Sequence, residues 1–156
     1  MRIALLCFFI GFTAGLRSLT PPAVLCWSTF LGRLHFGWGK FALIGSPLAV
    51  AFTTLLACGE LIADKLPRTP ARTKPIGLAA RVFTGSVCAI ALSNTAGANW
   101  YWGTIIGSIG AIAGAFAGYH ARRVLVVRVG RPDLIVAIAE DVIAIGASVM
   151  IYSLAI

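Results

Sequence analysis

Charged positions divide this chain into long apolar stretches. Residues 3–16, 18–32 and 41–59 carry no charge, residues 82–121 form one uncharged run, and a last run follows Asp141. A membrane-spanning helix needs about 20 mostly apolar residues. The 82–121 run is too long for one crossing, and the polar cluster Ser93–Asn99 divides it as a turn would. The pattern therefore predicts an all-α polytopic membrane helix bundle of about five transmembrane helices. They fall near 3–32, 41–63, 76–93, 101–121 and 133–156, and residues 1–156 form a single integral membrane domain. Alternating segments of the kind that build a membrane barrel are not visible.

The first segment cannot be one straight helix. At the α-helical rise, residues 3–32 would extend about 45 Å, well beyond the hydrocarbon thickness. It is expected to break at Arg17–Pro22. One helix ends near Gly15, Thr20 serves as an N-cap, and Pro21 opens the next helix. The broken segment either crosses once or folds as a hairpin. Met1-Arg2 ahead of Ile3–Ile10 has the outline of a signal peptide. Apolar character resumes directly after Arg17, so a retained first segment is expected.

Composition narrows the class further. The chain is 59% hydrophobic and 12% charged, against about 25% charged in soluble domains. That excludes an ordinary soluble domain and a disordered chain, and leaves too few polar residues for a nucleic-acid interface. The charge is lopsided, with 13 Lys and Arg against 5 Asp and Glu. Most of the excess falls in two loops: Lys65, Arg68, Arg72 and Lys74, then Arg122, Arg123, Arg128 and Arg131. With five crossings, the positive-inside rule puts both loops and the N-terminus in the cytoplasm of a multi-pass protein of the cell inner membrane. The loops would meet anionic lipid headgroups. Cys7, Cys26, Cys58 and Cys88 lie in apolar runs as small fillers. No metal site and no cofactor are expected.

Gly103, Gly107, Gly110, Gly114 and Gly118 lie at small-residue spacings along the fourth span. Such spacings let helices approach closely in lipid, either within the chain or in a homo-oligomer. Charges inside the spans carry the candidate chemistry, because each costs at least about 2.5–3.5 kcal/mol there and tends to mark a paired or functional site. Arg17, Glu60, Asp64, Lys65, Arg81, Glu140 and Asp141 are expected to form one cluster, with Thr20 at the start of the helix beside it. Glu60 and Asp64 share a helix face at i, i+4. Asp64 and Lys65 lie close enough to the interface to snorkel. If Arg81 and Glu60 touch, exchanging them should rescue more than either single change.

These marked residues resemble those of the domain of unknown function 4126 family of small bacterial integral membrane proteins. The likeness rests on Ala14–Ser18 with Thr20-Pro21-Pro22, Gly59–Pro67, Pro70 with Arg72, Arg81 with Gly85, and Glu140-Asp141. The resemblance implies an integral membrane protein and no established activity, substrate or cofactor. Faint echoes between Ala14–Arg17 and Ala117–His120, and between Gly59–Ala63 and Ala139–Ala144, raise an inverted repeat. Three functions fit. The first is a transporter or channel for an ion or small solute, with Glu60 and Glu140 carrying cations or protons. The second is a scaffold or lipid-interacting protein. The third, less favoured because no catalytic motif is present, is an enzyme acting on lipid phosphates.

Overall fold

The computed structural model describes residues 1–35, 42–64 and 74–155. Its helices are α1 (Arg2–Leu16), α2 (Thr20–Phe30), α3 (Pro47–Ala63), α4 (Pro75–Thr95), α5 (Trp100–Arg123) and α6 (Asp133–Leu154). A 3-10 turn at Ala42–Gly45 precedes α3, and a π-helical turn at Val124–Arg128 continues α5. Among the described residues there is no strand. Three helices, α4, α5 with its extension, and α6, are long and apolar enough to cross a membrane; α1 and α3 are shorter apolar helices.

Local chemistry sets the boundaries. Prolines open α3 and α4, where no intrahelical N–H is lost. The Ser46 hydroxyl caps α3 by accepting from the Ala49 N–H at 3.1 Å. The turn expected at Ser93–Asn99 is present: α4 ends at Thr95 and Gly97 adopts φ +65°, a conformation that suits glycine.

Helices α1, α4 and α5 form the centre, and glycine sets their spacing. A methyl group on Gly110 would lie 2.1 Å from the Phe8 carbonyl oxygen, and one on Gly114 equally close to that of Phe12. On another side of α5, Gly107 abuts the Ala89 side chain and the Gly85 backbone, and Gly103 abuts Ser93. The small residues of the fourth span are thus used within the chain, against two helices at once. Ascending contacts run Phe8 to Gly110 and Phe12 to Gly114, so α1 and α5 run in the same direction, with α4 antiparallel to both. An inverted repeat relating α1 to α5 would oppose them, so that expectation fails.

The first segment is a hairpin. Helix α2 turns back beside α1, and Leu25 and Leu34 join Leu6, Cys7 and Ile10 in one buried cluster with Leu92 and Tyr152. Trp27 Nε1–H donates to Thr54 Oγ1 at 3.0 Å, seating α2 against α3. The Tyr152 hydroxyl donates to the Pro21 carbonyl at 3.3 Å, and the Arg2 guanidinium reaches the Leu154 carbonyl, so the chain termini lie at the same end of the bundle. The N-terminus therefore lies at the opposite end from Arg122 and Arg123, not beside them as a single crossing requires. The reversal follows from the Thr20-Pro21-Pro22 restart, which begins a new helix without continuing the direction of α1.

Candidate functional site

The hairpin tip, Arg17-Ser18-Leu19, lies inside the bundle. Arg81 is six residues into α4 and Asp141 eight into α6, which sets the tip about 10 Å from the helix ends on that side. A chain reversal at that depth exposes two kinds of backbone group without partners: carbonyls ending α1 and N–H groups opening α2. Neither can be left unpaired in an apolar setting.

Side chains from two other helices supply the partners. The Glu60 carboxylate of α3 covers the start of α2. Its Oε1 accepts from the Ser18 N–H at 2.8 Å and the Ser18 hydroxyl at 2.7 Å, and its Oε2 accepts from the Leu19 N–H at 2.8 Å. Arg81 of α4 covers the end of α1, donating from Nη1 to the carbonyls of Gly15 at 3.1 Å and Leu16 at 2.9 Å. Each charge has the sign that the helix dipole favours: an anion at an N-terminus, a cation at a C-terminus. The two also face each other, Arg81 Nη2 lying 3.9 Å from Glu60 Oε1.

Arg17 is wholly buried and lies between two carboxylates. Its Nη1 pairs with Asp64 at the end of α3, and its Nη2 lies 2.5 Å from Asp141 Oδ1 of α6. The expected cluster of Arg17, Glu60, Asp64, Arg81 and Asp141 is thus brought together by α1, α3, α4 and α6. Asp64 does not snorkel: its carboxylate turns inward to pair with the Arg17 guanidinium. Lys65 lies outside the described residues.

Thr20 is placed differently from expectation. It is the first residue of α2, not its cap; Leu19 holds the cap position and no side chain of its own segment caps the helix. Glu60 replaces the local cap from a distance. Thr20 is buried, and its hydroxyl has no hydrogen-bond partner among the described residues.

Glu140, beside Asp141, is also buried but lines a separate cleft of about 260 Å³ between α1, α5 and α6. Phe12, Leu16, Gly118, Arg122 and Ile143 are among its other lining residues. At the rim Arg122 holds Asp133 through two hydrogen bonds of 2.8 and 2.7 Å, clasping the connection from α5 to α6. Among the described residues no group of three or more His, Cys, Asp or Glu side chains is arranged to hold a metal ion.

The sequence did not single out Ser18, whose backbone and hydroxyl both bind Glu60, nor the Ser148–Thr13 hydroxyl pair at 3.3 Å that ties α6 to α1. A signal for the first was present: the expected start of a helix at Thr20 and Glu60 were both assigned to the same cluster. No curated protein and no solved structure matches the chain. The family model described as domain of unknown function (DUF4126) matches residues 4–156, and with nearly its whole length covered the chain belongs to that family.

Proposed function

We propose that the protein passes a small cation, a proton included, across its membrane by way of the acid-rich tip of the α1–α2 hairpin. The observation that carries the reading is the gathering of ionisable groups beside a broken helix. Among the described residues, four carboxylates, Glu60, Asp64, Glu140 and Asp141, lie at membrane depth with Arg17 and Arg81. Carboxylates in a low-dielectric setting attract cations. Broken helices at that depth are a recurring way to build ion sites in transporters. Glu140, which lines the cleft, is the residue a cation meets first, and Asp141 links it to Arg17. The basic end of the bundle, with Arg122 and Arg123, faces the cytoplasm of a cell inner membrane in this reading. No catalytic step is part of it.

The test is flux into proteoliposomes, followed with a pH-sensitive and a potassium-sensitive dye. Glu140→Gln and Asp141→Asn should each reduce the rate, while Gly146→Ala, at an open site on the same helix, should not. Equal rates in wild type and both acid variants reject the proposal.

A second reading rests on a different observation. Glu60 and Arg81 are both engaged in capping helix ends, which is what a rigid structural element of a membrane assembly requires. That reading expects no flux above empty vesicles in the wild type.

A further inference from the structure

The end of α5 carries an unusual turn. Arg123 and Arg128 are five residues apart, a spacing that sends side chains about 140° apart on an α-helix. Here the Val129 N–H donates to the Val124 carbonyl at 3.1 Å, an i to i−5 bond, and the widened turn gathers the cations on one side. His120, Arg123, Val124, Val127 and Arg128 line a cavity of about 270 Å³. Single π turns inside helices recur at functional sites.

The neighbouring arginine does not belong to this cavity. Arg122 is turned to Asp133 by a two-point contact. Among the described residues no carboxylate forms an ion pair with Arg123 or Arg128. Two forked guanidiniums and an imidazole therefore line one cavity without a paired carboxylate among the described residues. They do so at a helix C-terminus, where cations are favoured. Exposed Val124, Val127 and Val129 flank them, as suits the boundary between headgroups and acyl chains.

We propose that this turn is a binding site for a phosphate group, held by the forks of Arg123 and Arg128 with His120 as a third donor. Arginine recognises phosphate through paired N–H groups. The phosphate belongs either to the headgroup of an anionic lipid or to a soluble phosphate. This site is separate from the hairpin tip, and its occupancy does not depend on transport.

The experiment uses the full chain, purified in neutral detergent and stripped of lipid. Native mass spectrometry follows the retention of phosphatidylglycerol, and a parallel titration uses inorganic phosphate against chloride at equal ionic strength. The wild type should retain one phosphatidylglycerol at low lipid excess. R123Q/R128Q should weaken retention about tenfold or more, as the loss of charge-assisted bonds predicts, and R33Q, which removes a charge at the opposite end, should leave it unchanged. Displacement of the lipid by inorganic phosphate, but not by chloride, assigns a soluble phosphate; resistance to it assigns the headgroup; both outcomes support a phosphate site. Wild-type retention in R123Q/R128Q, or equal loss in R33Q, overturns it. If the glutamine pair does not purify, R123K/R128K keeps both charges and loses both forks. Measurably weaker retention in that variant supports the site, and wild-type retention overturns it.

Discussion

Replacing Glu60 by glutamine changes one atom of a three-bond cap. In the native protein the two carboxylate oxygens accept from the Ser18 N–H, the Ser18 hydroxyl and the Leu19 N–H. Glutamine keeps one oxygen, which can serve the two Ser18 donors, and points an NH2 group at the Leu19 N–H. That donor is left buried and unpaired, at a cost of about 1–3 kcal/mol. The two bonds that remain lose charge assistance, each falling from about 1.5–3 to about 0.5–1.5 kcal/mol. Arg81 also loses the anion 3.9 Å from its Nη2. The expected loss is about 3–5 kcal/mol, in line with the breaking of a buried ion pair and a large fraction of the stability of an ordinary domain. Thermal unfolding in detergent, read by circular dichroism, should show a midpoint lower by on the order of 10 °C. A midpoint within about 2 °C of wild type, equivalent to less than about 1 kcal/mol, would refute the capping account. Exchange of the partners sharpens the point. Simple contact between Arg81 and Glu60 predicts rescue by Glu60→Arg with Arg81→Glu. The structure predicts none, because the exchange puts a guanidinium against N–H donors and a carboxylate against the Gly15 and Leu16 carbonyls.

Other consequences follow from packing and direction. Gly110→Ala puts a methyl group 2.1 Å from the Phe8 carbonyl oxygen, and Gly114→Ala does the same at Phe12; each should lower stability by about 1–3 kcal/mol or more in the same melting assay. Gly146→Ala, with nothing within 4 Å, should be neutral or stabilising by up to about 1 kcal/mol. Reporters fused to the two chain ends should read the same compartment, opposite to that of a reporter inserted near Gly130, since Arg2 reaches Leu154 at one end of the bundle and the α5–α6 connection lies at the other. Removal of the clasp by Asp133→Asn should speed proteolysis at 124–132 while leaving the melting midpoint within about 1 kcal/mol of wild type, as expected for an exposed pair.

The membrane class, the helices and the candidate charges were legible because each rests on local sequence. Apolar runs, the Ser93–Asn99 turn and the Thr20-Pro21-Pro22 restart all act over a few residues. The direction taken after the restart was not legible. Pro21 starts a helix whichever way the chain then points, and Leu25 and Leu34 carry no mark that they rejoin Leu6 and Cys7. Arg17, Glu60, Asp64, Arg81 and Asp141 do lie together while Glu140 lines another cleft, and their pairing depended on that direction. Once α2 folds back, its N–H groups face α3, and Glu60 becomes the cap that Thr20 was expected to be. The glycines of α5 gave the close approach but not the partner, because a small residue fits any backbone. The π turn leaves no trace in composition or periodicity.

The placement of Arg17 bears on how the chain is made. One of its carboxylate partners, Asp64, is synthesised soon after it, but the other, Asp141, lies in the last helix. Domains generally assemble in the order of synthesis, and this one cannot finish in that order. Until α6 leaves the ribosome, Arg17 has only one of its two carboxylate partners, and the Thr13 and Pro21 anchors to Ser148 and Tyr152 are also missing. The hairpin, made before the other helices described here, is therefore the last to be locked, and a chain cut short before α6 carries an unfinished hairpin into the membrane.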